Sequence, residues 1–272
     1  MAAQKYRMTP DQAMARLKAK ARPDALPHMA RYGIATSNAF GVAVPELRKI
    51  AREAKRDHAL ALALWQTGVH DARLLATMVA EPARVNEAAA LRLARDFRSW
   101  DLCDQCCLNL YRFLPFAHGL VRTLAAREEE FVKRAGFSLL AVLAVHDKRA
   151  DDPVLLAFLP LIEAGANDPR LLVRKSVNWA LRQIGKRNPA LNLEAIAAAE
   201  RILKQGGPAR WVASDAMREL RDVKVQARLR SRRSSTEQVP TASPQVSPRS
   251  KTARARAVPS GSRPGRTRRP RG

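Results

Sequence analysis

Along the first 222 residues, apolar side chains recur every three or four positions in short blocks, and nowhere alternate over the length of a strand. The blocks predict helices over about 9–20, 45–56, 58–67, 71–81, 84–97, 99–112, 115–126, 128–147, 153–164, 169–187, 191–205 and 208–222. Their starts carry recognisable chemistry. Thr9-Pro10-Asp11-Gln12 offers a capping hydroxyl, a proline in the first turn and a glutamine three residues after the cap. Asp71, Pro115, Pro153, Pro169 and Pro208 stand near later starts. Residues 23–43, with Pro23, Pro27, Gly33 and Gly41, read as irregular.

About a dozen helices joined by short loops exceed what a four-helix bundle uses and predict stacked antiparallel pairs. The expected fold is therefore all-α, a curved helical-repeat solenoid whose repeats are not close copies. The stretches 84–97, 128–147 and 169–187 share only basic residues beside an apolar stripe. A concave face on such a stack would present Arg and Lys to a long polyanion.

Composition sharpens this. The chain has 272 residues, 49 Lys or Arg against 25 Asp or Glu, and a formal charge of +24, which argues for a polyanionic partner. Aromatics make up 5% and glycine 12 residues, a poor match to an all-β sandwich. The stretch 224–272 holds 14 basic residues and one acidic one, Glu237, so the first 223 residues keep +11. That stretch is rich in Ser, Pro and Arg and nearly free of large apolar residues, so it reads as a disordered basic tail after a domain spanning 1–223.

Cys103, Cys106 and Cys107 are too few for a disulfide framework, and no second cluster supplies further ligands. They read as buried helical thiols, with no metal and no cofactor expected. His28, His58, His70, His118 and His146 are scattered and read as surface or satisfied core residues. The N-terminus has no apolar signal core, and no apolar run approaches the ~18 residues of a membrane span. A soluble, cytoplasmic, nucleoid-associated monomer with no membrane partner is the expectation.

Three segments could carry chemistry. In DFRSWDLCDQCCLNLYRF (96–113), Trp100 and Asp104 are four apart and share a helical face. An indole beside a carboxylate can hold a flat or cationic group; the plain alternative is a core Trp100 and a solvated Asp104. A second W-x3-D, Trp211 and Asp215, has the same spacing, with helix packing of Trp211 as its plain alternative. In 169–189, Arg170, Arg174, Lys175, Arg182, Lys186 and Arg187 surround Trp179, a mixture suited to phosphates and sugars or equally to a solvated basic face. Lys133 and Arg134 form a smaller basic pair. No phosphate-cradling glycine loop, H-E-x-x-H or G-x-S-x-G is present.

The runs RYGIATSNAFGVAVPELRKIA (31–51), LWQTGVHDARLLATMVAEP (64–82), SWDLCDQCC (99–107), FVKRAGFSLLA (131–141), VRKSVNWALRQIGKRNP (173–189) and ARWVASDAMREL (209–220) together resemble the DNA alkylation repair protein family. The likeness covers roughly 10–222. It implies HEAT-like repeats forming a positively charged groove for duplex DNA, and a monofunctional, metal-independent glycosylase. Such an enzyme hydrolyses the N-glycosidic bond of cationic N3- and N7-alkylated purines, a step of base excision repair. The family pattern of Trp, Asp four residues on, a later Arg and a second Trp implies Trp100, Asp104 and Trp179 as catalytic. It implies Arg134, or its neighbour Lys133, as a DNA contact and Tyr32 as a further one; Arg174, Lys175 and Arg182 join them as candidates from the basic run around Trp179.

The missing general acid suits that chemistry. Alkylation makes the purine a cation, so the base departs neutral and positive charge develops on the sugar, where one carboxylate can stabilise it. Two other readings use the same residues: a non-catalytic protein recognising bent or branched DNA through the groove, and a HEAT-like scaffold for other proteins.

Overall fold

Fifteen α-helices follow one another, with no strand, over the described residues 8–237 of the computed structural model. They are α1 (Pro10–Ala19), α2 (Leu26–Arg31), α3 (Val44–Ala54), α4 (His58–Gln66), α5 (His70–Val79), α6 (Glu87–Arg95), α7 (Trp100–Asn109) and α8 (Ala117–Ala125). Then come α9 (Glu130–His146), α10 (Asp152–Leu156), α11 (Leu159–Gly165), α12 (Leu171–Gly185), α13 (Pro189–Lys204), α14 (Ala209–Leu220) and α15 (Val223–Glu237). The predicted capping box opens α1: the Thr9 hydroxyl accepts from the Gln12 amide at 3.2 Å, and the Gln12 side chain accepts from the Thr9 amide at 3.0 Å. Asp57, Asn86 and Asn188 cap α4, α6 and α13, their side chains accepting from the amides of Leu60, Ala89 and Leu191.

The helices stack in two rows. One row runs α5, α7, α9, α12 and α14, each against the next; α4, α8 and α13 back it on α5, α9 and α12. Small residues let the rows approach closely. A Cβ on Gly136 in α9 would sit 2.5 Å from the Ala125 backbone nitrogen at the end of α8, so only glycine permits that contact. Buried amides tie the row together: Asn178 of α12 donates to the Val212 carbonyl of α14 at 3.0 Å, and Asn192 of α13 donates to the carbonyls of Gly185 and Leu220. The three cysteines are buried, free thiols inside this stack.

Three expectations differ from the structure. The irregular stretch 23–43 contains α2. The helix expected over 153–164 is two, α10 and α11, because Pro160 lies in the first turn of α11 and cannot continue a helix through that point. The boundary at 223 also moves. Residues 223–237 form α15, whose Val225 and Leu229 are buried one turn apart, and the compact unit ends at Glu237. Gln226 secures α15, donating to Asn192 and to the Leu220 carbonyl. The remainder of the expected disordered tail, 238–272, lies outside the described residues.

Candidate active site

Asp104 sits one turn into α7, and both its oxygens are engaged by α9. Arg134 donates to Oδ2 and the Ser138 hydroxyl to Oδ1, each at 2.7 Å. Arg134 and Ser138 are four apart, so one face of α9 supplies both. A second Arg134 nitrogen donates to the Leu172 carbonyl at the start of α12 at 2.6 Å, so three helices converge on one guanidinium. Behind them, Cys103 and Cys107 of α7 pack on the Phe131 and Ala135 carbonyls of α9. Gly136 lets α9 settle against α8 between Arg134 and Ser138.

The Asp104 side chain remains 18% exposed while that of Arg134 is buried. Burial raises the Asp104 pKa above its ordinary value, against the Arg134 charge and the two hydrogen bonds, which lower it. An anion held at the edge of solvent by fixed donors is suited to answering positive charge that develops next to it.

Trp100, half-buried at the head of α7, forms the adjoining wall; its ring centroid lies 5.9 Å from the Arg134 guanidinium carbon. Its indole N–H donates to the Tyr32 carbonyl at 2.7 Å, and Tyr32 itself is 63% exposed, its ring 4.9 Å from that of His28. Tyr32 thus meets the site through its backbone as well as offering an exposed ring.

Two acidic residues at the head of α5 and α7 fix this corner. Asp71 accepts from the amides of Phe40 and Val42 at 2.6 and 2.7 Å, holding the loop after Tyr32, which turns at Gly41 with φ +74°. Asp101, next to Trp100, accepts from Ser99 at 2.7 Å and pairs with the buried His70 Nε2 at 2.8 Å. The His70 amide in turn donates to the Asn38 carbonyl. Burial raises the Asp101 pKa, but the His70 and Ser99 contacts outweigh it and hold the carboxyl below its ordinary value.

The basic residues divide. Lys133 pairs with Asp168 at 3.2 Å, Arg170 grips the same carboxylate at 2.7 Å, and Arg174 donates to the carbonyls of Asp168 and Pro169. Asp168 is 3% exposed; burial works against its ionisation, yet the Arg170 and Lys133 contacts hold its pKa at about 2. Two cations on one carboxylate, with the Arg174 guanidinium on the adjoining backbone carbonyls, leave net positive charge where α9 meets α12. Lys175 is exposed with no ion pair among the described residues. Arg182 is ion-paired to Glu219 of α14, which Lys186 also binds. Trp179 is half-buried seven residues beyond Leu172, about 10 Å along α12. Its N–H lies 3.1 Å from the end of the Gln183 side chain, which accepts from it once the amide is turned to face it with its oxygen. No direct contact joins it to Trp100 or Asp104 among the described residues.

The second W-x3-D has none of this. Trp211 is 43% exposed, and among the described residues Asp215 pairs only with Arg218 on its own helix. Sequence reasoning did not find Ser138, Asp168 or the His70–Asp101 pair. Only the i, i+4 spacing of Arg134 and Ser138 signalled any of them. Among the described residues, no group of three His, Cys, Asp or Glu could hold a metal ion, and no helix is long and apolar enough to cross a membrane.

Comparison with known proteins agrees with the stack. One solved chain superposes with a TM-score of 0.65 at 20% identity, over 71% of this chain and 83% of its own. It is described as belonging to a new family related to the HEAT-like repeat DNA glycosylases, with affinity for branched DNA structures. That likeness establishes the HEAT-like fold. No curated protein sequence matches. The family model described as DNA alkylation repair enzyme matches residues 13–220, which carry every residue of the site, and the chain belongs to that family.

Proposed function

We propose that the protein is a DNA glycosylase that hydrolyses the N-glycosidic bond of cationic N3- or N7-alkylated purines in duplex DNA. The observation that carries this reading is the Asp104 carboxylate, partly exposed beside Trp100 and held by Arg134 and Ser138. As the bond from C1′ to the purine nitrogen breaks, its electron pair moves onto the base, which leaves neutral. The sugar takes on oxocarbenium character. Asp104 stabilises that charge and orients the water that adds to C1′, whose proton passes to the carboxylate or to solvent.

Trp100 offers its face to the deoxyribose, and Trp179, further along α12, offers a second aromatic to the lesion strand. Arg134 is buried on Asp104 and the Leu172 carbonyl, so its part is to position the carboxylate. Phosphate contact falls to Lys133, Arg174, Lys175 and Arg182, and Tyr32 adds an exposed ring.

The test is release of 7-methylguanine from methylated duplex DNA. Asp104→Asn keeps the side chain's shape and duplex binding but nearly abolishes release; undiminished release overturns the mechanism. A second reading, a binder of branched DNA without catalysis, is favoured by the neighbouring fold's affinity and by the engagement of both Asp104 oxygens. It predicts junction binding with no base release.

A further inference from the structure

A second cationic cluster lies at the opposite ends of α7 and α9 from Asp104 and Arg134. Its centre is Phe113, 48% exposed in the turn Tyr111–Phe113 that follows α7. The Arg112 guanidinium carbon sits 4.3 Å from the Phe113 ring centroid and that of Arg56 sits 5.8 Å from it. His146, the last residue of α9, faces Arg112, and Lys148 stands beside it.

Arg56 has a structural task. It donates to the Ala80 carbonyl at the end of α5 and to the Asn109 carbonyl at the end of α7, where cations complement the helix dipole. Arg112 has none. Four arginines, Arg112, Arg134, Arg174 and Arg182, bury an Nε without an acceptor. The last three each donate from another nitrogen, whereas Arg112 makes no hydrogen bond among the described residues. Among the described residues no carboxylate faces it. Burial and Arg112 lower the Arg56 pKa, and burial, Arg112 and Lys148 lower that of His146. Asp147, the nearest acid in sequence, turns instead to His118 at 2.9 Å. A half-buried guanidinium whose Nε is buried without an acceptor, and whose charge opposes that of Arg56, is costly unless an anion answers its other nitrogens.

We propose that Arg112 and Lys148, with Phe113 as their platform, form a phosphodiester-binding site for the DNA backbone, away from the reacting nucleotide. A phosphate accepts two parallel bonds from a guanidinium fork, and the partly exposed Phe113 ring suits a deoxyribose. Arg134 and His146 are twelve residues apart on α9, about 18 Å, or roughly five base pairs of duplex. DNA lying along the helices that carry Asp104 therefore comes within reach. The inference rests on DNA being the partner and adds a contact set to it.

The test titrates the full chain with an undamaged 20-base-pair duplex across a range of salt. Arg112→Ala/Lys148→Ala is compared with Arg201→Ala/Lys204→Ala, which removes equal charge from α13. The first variant is expected to bind about tenfold more weakly at ~0.15 M salt, with a log–log salt slope smaller by about 2. The control should stay within about twofold of wild type. Wild-type affinity and slope in the first variant overturn the site, as does an equal loss in the control. Unchanged duplex binding with lost binding of poly-glutamate assigns the cluster to an acidic protein and also overturns it. Absence of duplex binding by the wild-type chain instead sinks the glycosylase reading.

Discussion

Trp100–Asp104 and Trp211–Asp215 share a spacing, a helical face and an aromatic-to-carboxylate order, yet the fold treats them differently. The first carboxylate receives a buried arginine and a serine from a neighbouring helix; the second receives one exposed arginine from its own. The position in the stack makes the difference. α7 has α9 on one side and α5 on the other, so its carboxylate is met across helices and partly desolvated. Asp215 lies on α14, near the end of the row, and is about as exposed as Asp104, but its ion-pair partner Arg218 is on its own helix and 79% exposed. A motif of two residues becomes a site only where buried groups from neighbouring helices fix its charge.

The largest separation is expected in catalysis. Asp104→Asn should lower single-turnover base release at least 100-fold, the scale of losing a fixed electrostatic stabiliser, while Asp215→Asn stays within about twofold. Equal losses would erase the distinction. Next comes stability. Arg134→Ala leaves a largely buried carboxylate facing no cation and should cost about 3 kcal/mol in chemical denaturation, whereas Arg218→Ala should cost less than about 0.5 kcal/mol.

Asp168, the carboxylate that gathers cations beside the first pair, should come third. Its pKa of about 2 lies below the unfolded value, so its contribution is complete above about pH 4 and is lost as pH falls through about 2. Asp168→Asn should therefore cost about 2 kcal/mol at neutral pH, and the difference from wild type should shrink in acid.

The smallest effect is expected at Ser138. Ser138→Ala removes a bond to ionised Asp104, costs about 1 kcal/mol of stability and moves the carboxyl pKa further up. Release needs the ionised form, so activity is present above the Asp104 pKa and lost below it. The acid limb of the pH–rate profile should already lie above that of an ordinary carboxylate, and the serine variant should shift it to higher pH. A limb left in place would remove Ser138 from the site.

Much of the fold was legible because apolar spacing and caps such as Thr9–Gln12 are local signals. The misreadings arose where a local signal was outvoted. Pro160 sits inside an apolar block that otherwise reads as one helix. The proline and glycine of 23–43 conceal the short α2. In α15, Val225 and Leu229 form a one-turn apolar stripe within a strongly basic stretch, and composition masked it. Asp104 and Trp100 could be nominated by spacing and by likeness to a family. Which W-x3-D had partners could not, because Arg134 and Ser138 lie 30 and 34 residues from Asp104 and meet it only through helix stacking. The same holds for Lys133, Arg174 and Arg182, whose basic run did not disclose that Asp168 and Glu219 already engage them.

The most direct test of the central claim is chemical. Methylated duplex DNA is incubated with the full-length wild-type chain, and free 7-methylguanine is followed over time against the same DNA alone. The account predicts release well above the spontaneous rate, with no release of unmodified guanine. Release at the spontaneous rate, from DNA shown to be bound, would contradict it and leave a protein that binds DNA without cutting the glycosidic bond.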